Sequence, residues 1–261
     1  MAAVKRNLYS VNIATYVAGM KTRTESKAHP SRKRVRRVTA ARPARARGAG
    51  RREPAAENAP YHHGALHDAL LEAAERLLER DGLAGLTLRA VAREAGVSHA
   101  APTHHFGDLT GLLSELAAIG YRRFNAAMAA ADCDGNTLAD RAMARAKAYV
   151  AYAQAHPGMY GLMFRAERLD MTRPVLHDAA KASFAGLAGA IGAQRQEQIS
   201  TDALSLEQAA AIARAWSLVH GFTTLLLDGR LVDIFKRLPE GTAVTTLLEA
   251  MLRTQIVRPP S

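Results

Sequence analysis

The sequence predicts an all-α protein, and three observations support this fold class. Hydrophobic residues make up 48% of the 261 residues and aromatic residues only 5%, and the abundant alanine and leucine are the best helix formers. From about residue 64, apolar side chains recur at helical spacing, as in Leu66, Leu70, Ala73 and Leu77. No stretch shows the alternation that a half-buried strand requires. We therefore expect helices throughout the folded part of the chain.

Caps and turn residues divide the chain into individual helices. Gly82 and Gly96 should each end a helix, because glycine accepts the left-handed conformation at a helix end. Ser98 should cap the following helix, with Pro102 in its first turn. The expected helices cover residues 64–81, 87–95, 98–106, 108–131, 137–155, 159–166, 172–198, 206–228 and 240–255.

The basic charge of the chain is concentrated in its first 60 residues. These hold 15 Lys and Arg against 3 Glu, a net charge of +12, whereas the chain as a whole carries +11. Such a polar, Pro- and Gly-containing segment buries too little apolar surface to offset its chain entropy. We expect residues 1–60 to be a disordered basic arm that holds DNA phosphates non-specifically. A solvated tail, or a start codon assigned too early, is the alternative explanation.

Several classes of function are not expected from the sequence. The single cysteine, Cys133, cannot form an intramolecular disulfide and fits a reducing cytoplasm. Adjacent histidines such as His62 and His63 point to different sides of a helix and have no second ligand cluster at zinc spacing, so we expect neither metal nor cofactor. The chain lacks a nucleophile elbow, a phosphate loop and a run of 18 apolar residues. We therefore expect a cytoplasmic protein that is not an enzyme.

The strongest functional signal is "GLTLRAVAREAGVSHAAPTHHF" at residues 85–106. Two short helices are joined by a turn, with the small Ala92 four residues before the turn glycine Gly96, and this spacing is typical of a helix-turn-helix. The second helix is polar and has little to bury, so it is free to enter a DNA major groove. Its alternative is an ordinary helical hairpin with a solvated face. The candidate DNA contacts are Thr87, Leu88, Arg89, Ser98, His99, Ala100, Thr103, His104 and His105.

A longer stretch, "YHHGALHDALLEAAERLLERDGLAGLTLRAVAREAGVSHAAPTHHFGDLTGLL", resembles the DNA-binding domain of the tetracycline-repressor (TetR) family of bacterial regulators. The resemblance implies a three-helix DNA-binding domain at 61–107, a connecting helix at 108–131, and an effector-binding and dimerisation domain at 132–261. It also implies a homodimeric repressor that leaves palindromic operator DNA when a small molecule binds. Two residues depart from the family pattern. Thr103 stands where a tyrosine is common and Leu109 where a basic residue is common, so two usual phosphate contacts are missing.

Two later motifs, "HPGMYGLMF" and "AWSLVHGFTTLLLDGRL", resemble a subgroup named for a Trp-His-Gly signature, here Trp216 and His220-Gly221. Aromatic and flexible apolar side chains can line a ligand pocket, although each is also an ordinary core residue. Few charges lie among them, so we expect a small effector that is neutral or hydrophobic. The candidate ligand contacts are Met159, Met163, Phe164, Phe184, Trp216 and His220.

An apolar stripe on the last helix predicts the dimer interface, together with the helix at 206–228. The stripe follows i, i+3, i+4, i+7 and i+8 spacing and consists of Val244, Leu247, Leu248, Met251 and Leu252. A different function remains open beside the repressor. The chain would then be an effector-independent protein that binds DNA through its basic arm with weak sequence specificity.

Overall fold

The structure, a computed structural model, describes residues 63–132 and 137–254, which belong to one compact unit. The expected basic arm and Cys133 lie outside the described residues. Within the described ranges the regular structure is helical, without strands, as the sequence predicts. In chain order the helices are α1 (His63–Gly85), α2 (Leu88–Glu94), α3 (Ala101–Phe106), α4 (Leu109–Ala131), α5 (Leu138–Ala155), α6 (Pro157–Met163), a 3-10 turn (Ala166–Arg168), α7 (Pro174–Arg195), α8 (Leu206–Leu227), α9 (Val232–Phe235) and α10 (Val244–Thr254).

Local capping explains where the long helices begin. The Asp108 carboxylate accepts the Gly111 N–H at 2.7 Å at the start of α4. Thr137 and Ser205 begin α5 and α8 with capping boxes, in which side chains and backbone amides satisfy each other. Gly82 and Gly96 have φ of 69° and 70°. Gly96 lies in the turn after α2, as predicted, whereas Gly82 forms a break inside α1 (ψ −179°) and helical residues continue to Gly85.

Other boundaries differ from the sequence prediction. Ser98 does not cap α3, because residues 98–100 form a separate turn in which the Ala101 N–H donates to the Ser98 carbonyl at 3.0 Å. Helices α6 and α7 begin at Pro157 and Pro174, since proline already has a helical φ and needs no partner for its nitrogen. The four-residue α9 was not predicted because it is too short for a periodic signal.

Helix α4 lies at the centre of the main hydrophobic core. Leu112, Leu116 and Ala117 on α4 are completely buried. The core around them is continuous and includes buried residues from α1, α2, α3, α5, α6 and α7. The helix-turn-helix and the later helices therefore share one packed interior.

Helix α6 approaches α1 closely at Gly158. A Cβ atom at this position would lie 2.9 Å from the Leu78 carbonyl oxygen and 3.0 Å from the Glu79 carboxylate. The amides of Gly158 and Met159 each donate to the Glu79 carboxylate at 3.1 Å. A side chain of α1 thus satisfies the free N–H groups at the start of α6.

The second hydrophobic cluster corrects one sequence assignment. Leu248 has no exposed surface within a single chain, so it is a core residue of the protomer and the prediction that it contacts a partner is wrong. Its cluster contains buried residues from α5, α8 and the segment before α9, namely Ala146, Val150, Phe222 and Leu231. The other four residues of the stripe, Val244, Leu247, Met251 and Leu252, are half-buried and pack against the same cluster. An amphipathic stripe shows which face is covered but not by what.

We expect Gly158→Ala to destabilise the protein by about 1–3 kcal/mol, because the new methyl group has no room beside the Leu78 carbonyl. Gly161→Ala is the matched control, since it lies in the same helix and its Cβ would meet nothing within 4 Å. That substitution should leave the free energy of unfolding unchanged or raise it by up to about 1 kcal/mol. Urea unfolding followed by circular dichroism measures both. Equal effects of the two substitutions would contradict the close approach.

Candidate functional site

Helices α2 and α3 form the predicted helix-turn-helix. The Thr87 hydroxyl accepts the Ala90 N–H at 3.1 Å and begins α2, and Val91 and Ala92 are completely buried. Helix α3 buries Pro102 and Phe106 at its two ends. Thr103 and His104 of α3 are exposed between these two anchors.

Of the nine predicted DNA contacts, seven are exposed and two are half-buried. The exposed residues are Thr87, Arg89, Ser98, His99, Ala100, Thr103 and His104. Leu88 is half-buried and packs against the main core. His105 is half-buried, with its ring centroid 6.0 Å from that of His67. Ala100, Thr103 and His104 are spaced i, i+3 and i+4 and so share one side of the helical turn.

A second candidate site lies where α4, α5, α6 and α8 meet. Tyr149 on α5 and Tyr160 on α6 both place their hydroxyl oxygens 2.9 Å from Nδ1 of His220 on α8. The two hydroxyl oxygens are 3.4 Å apart. We call the ring-contacting group the aromatic cluster, and it consists of Tyr121, Phe124, Tyr149, Tyr152, Tyr160, Phe164, Trp216 and His220.

Burial keeps the titratable members of the aromatic cluster uncharged. It raises the pKa of Tyr149 and Tyr160, and it raises the pKa of Tyr152 to about 12. Burial also lowers the pKa of His220, because the imidazolium form loses its hydration. The cluster therefore disfavours charge of either sign, while its hydroxyl and imidazole groups can still form hydrogen bonds.

Three of the six predicted ligand contacts belong to the aromatic cluster and a fourth touches it. The Phe164 ring centroid lies 4.5 Å from that of His220 and 6.4 Å from that of Trp216, and Trp216 is 44% exposed. Met163 is buried, and its sulfur accepts the Tyr152 hydroxyl at 4.0 Å. Met159 is buried in the main core. Phe184 lies apart from His220, in a third cluster that contains Leu187, Ile191 and Ile212.

Sequence reasoning missed Tyr149 and Tyr160, the two hydrogen-bond partners of His220. The partners are separated from His220 by 71 and 60 positions in the chain, so local spacing could not pair them. One signal was present. The chain has only seven tyrosines, and four of them fall between residues 121 and 160.

Two family models match the chain. Residues 70–116 match the model described as "Bacterial regulatory proteins, tetR family", and residues 142–254 match "Tetracyclin repressor-like, C-terminal domain". The second description does not name the Trp-His-Gly subgroup, so that assignment stays a prediction. No curated protein matches the chain significantly.

Solved structures of similar architecture cover most of the chain. A protein of unknown function from Rhodococcus sp. RHA1 is 36% identical with a TM-score of 0.59, over 75% of this chain and 95% of that one. A putative tetR family regulator from Shewanella sp. PV-4 is 20% identical with a TM-score of 0.53, over 73% and 97%. FadR from Bacillus subtilis, in complex with stearoyl-CoA, is 15% identical with a TM-score of 0.52, over 72% and 96%.

Among residues 63–132 and 137–254, no group of three or more His, Cys, Asp or Glu side chains is placed to hold a metal ion. Helix α8 is long and apolar enough to cross a membrane by length and composition alone, and 17% of its most apolar window is buried. The core helix of a soluble protein can satisfy the same two criteria, so this is weak evidence for a membrane span.

The buried His220 predicts a loss of stability in acid. Its folded-state pKa is lowered, so below the unfolded value of about 6.5 the unfolded chain binds a proton that the folded protein does not. The free energy of unfolding should fall as the pH drops from 7 to 5, by at most about 1.4 kcal/mol per pH unit from this residue. His220→Gln should remove that part of the slope, whereas His99→Gln, which alters an exposed residue, should not. Urea unfolding at several pH values gives the slopes, and equal slopes for wild type and His220→Gln would contradict the assignment.

Proposed function

Because the chain belongs to the TetR family of bacterial transcriptional regulators, we propose that it is a repressor that binds operator DNA as a homodimer and leaves it when a small molecule binds. The observation that carries the DNA-binding part is the exposed polar surface of α2 and α3 on a buried support. Hydroxyl groups and backbone amides near the helix starts suit phosphates. Arg89 suits the two acceptors of guanine in the major groove. His104 and the basic arm take over phosphate contacts in place of the missing residues at Thr103 and Leu109.

We propose that the effector binds at the aromatic cluster and is a neutral, largely apolar molecule with one hydrogen-bonding group. Because burial holds Tyr149, Tyr160 and His220 uncharged, an ionic group would meet no countercharge among them. A carbonyl or hydroxyl could replace one tyrosine hydroxyl at the His220 ring. FadR from Bacillus subtilis, which has the same fold, has been solved in complex with stearoyl-CoA, and this supports a small-molecule ligand for a chain of this architecture.

The contact between α6 and α1 offers a route from the effector to the DNA-binding helices. Tyr160 lies on α6, and the start of α6 is bonded to Glu79 of α1. An effector that moves Tyr160 would pull on this contact and shift α1 relative to the later helices. Such a shift changes the distance between the two recognition helices of a dimer, and operator affinity depends on how well that distance matches the spacing of the half-sites.

We propose that α8 forms the centre of the dimer. Its exposed apolar residues include Trp216, Leu225 and Leu227, at 44%, 46% and 36% exposure. Trp216 and Leu227 are eleven positions apart and share one side of the helix, whereas Leu225 lies about half a turn away, so apolar surface is exposed on two sides of α8. Exposed apolar surface of this extent is typical of a region covered by a partner. A second copy would present the same face, because a two-fold interface is self-complementary. This explanation accounts for the apolar character of α8 without a membrane and fits a DNA-binding protein of the cytoplasm.

We expect selection from a random duplex pool to recover a near-palindrome with half-sites about one helical turn, or roughly 34–36 Å, apart or slightly more.

Arg89→Ala should cost about 1–3 kcal/mol of binding free energy at one base position if Arg89 reads a base, whereas an equal loss on all sequences assigns it to phosphate. Arg168→Ala, at an exposed position in the 3-10 turn, is the control and should bind like wild type. Equal retention of random and selected DNA would instead favour the effector-independent protein that works through its basic arm.

We expect Leu225→Glu to give a folded monomer, because it places a carboxylate on the exposed apolar surface that we propose a partner covers. Val175→Glu is the matched control, since Val175 is 47% exposed and lies on α7, and it should remain a dimer. Size-exclusion chromatography with light scattering measures both masses, and circular dichroism confirms the helices. A dimeric Leu225→Glu protein would place the interface elsewhere.

A further inference from the structure

The connection between the 3-10 turn and α7 contacts the recognition helix α3 from the C-terminal half of the chain. Arg173 donates from Nη2 to the carbonyl oxygen of Phe106, the last residue of α3, at 3.0 Å. Its Nη1 donates to Oε1 of Glu115 on α4 at 3.2 Å. The guanidinium therefore bonds to two different elements at once, which its planar fork permits.

The segment of residues 170–173 is itself held firmly. The Asp170 N–H donates to Oγ of Ser114 at 2.9 Å, and Ser114 is completely buried. The Asp170 carboxylate accepts the N–H and the hydroxyl of Thr172, at 3.0 and 2.6 Å, and these bonds lower the pKa of Asp170. Arg173 thus leaves the backbone at a fixed point beside α4.

Gly111 provides the opening through which Arg173 reaches α3. A Cβ atom at Gly111 would lie 2.4 Å from Nη2 of Arg173 and 2.1 Å from the Phe106 carbonyl oxygen. Both distances are far below van der Waals contact, so a larger residue would exclude the guanidinium from the carbonyl. Glycine at position 111 of α4 is therefore required for the bond between Arg173 and the Phe106 carbonyl.

Glu115 extends the contact to α1. Its Oε2 lies 2.8 Å from Nε2 of His67, and the His67 ring centroid is 5.0 Å from that of Phe106. Arg173, Glu115 and His67 therefore surround the end of α3 with one connected set of polar contacts.

We infer that Arg173 is a positioning residue for DNA recognition, which holds the end of α3 in place and makes operator affinity depend on the position of the 170–173 segment. A six-residue helix is too short to be stable alone. The last carbonyl groups of a helix have no partner within it, and Arg173 supplies one for Phe106 with a charge-assisted bond. The inference rests on the proposed function for its consequence for DNA, but the contact itself can be tested without DNA.

The test compares Arg173→Gln, Arg173→Lys and the control Arg168→Gln by hydrogen–deuterium exchange and by binding to the duplex that wild type selects. In Arg173→Gln we expect the amides of His104 and Gly107, which bond within α3 and its cap, to exchange faster by on the order of tenfold. Affinity for the duplex should fall by a similar factor. Lysine keeps the charge but cannot form both bonds as a fork, so Arg173→Lys should lie between. Arg168→Gln should behave like wild type.

Hydrogen exchange tests the positioning role of Arg173, and DNA binding tests the proposed function. If α3 exchanges in Arg173→Gln as it does in wild type, the positioning role is overturned, whatever the DNA result. If wild type selects no duplex, the proposed function fails and exchange alone decides on Arg173. If Arg173→Gln unfolds throughout, Arg173→Lys decides: faster exchange confined to α3 in that variant supports the role, and exchange like that of wild type overturns it.

Discussion

Burial of α4 is the constraint on which the rest of the structure depends. Eleven of its 23 residues are buried, and α1, α3, α5, α6 and α7 all pack on it. Gly111 admits Arg173, and Gly120 leaves room for Met159 and Met163, whose atoms lie within 3 Å of where its Cβ would be. Because such interiors are densely packed, α4 cannot shift without moving its neighbours. The helix is thus a rigid connection rather than a linker.

This rigidity limits how a ligand could influence DNA binding. Besides their packing on α4, the DNA-binding helices contact the later helices through two hydrogen-bonded groups. The Glu79 carboxylate of α1 accepts the N–H at the start of α6, and Arg173 donates to the last carbonyl of α3. The two contacts join the later helices to the DNA-binding helices from different elements, α6 and the segment before α7. A displacement of α6 alone would therefore move α1 through Glu79, while Arg173 keeps the end of α3 in its original position. Packed interfaces usually respond to such strain by changing between discrete arrangements rather than by bending gradually.

Sequence reasoning succeeded where the determinant of structure was local. The break at Gly82 and the turn at Gly96 each depend on one backbone angle. It failed at Ser98, because a turn of three residues looks like a helical start. It failed at Leu248 for a different reason, since periodicity identifies an apolar face and does not distinguish the protomer's own core from a partner. The contact of Tyr149 with His220 joins residues 71 positions apart, so only the packing of whole helices could reveal it.

The position of α8 connects the two proposals about the C-terminal half. This helix of 22 residues buries Ile212, Phe222 and Thr223 within its own chain, so its packing there is sparse. Yet it carries Trp216 and His220, which complete the aromatic cluster. A partner that covered its exposed apolar face would add the packing that fixes α8, and with it the distance from His220 to the tyrosines of α5 and α6. Dimerisation would then fix the geometry of the ligand site as well as the distance between the recognition helices, since both depend on the position of α8.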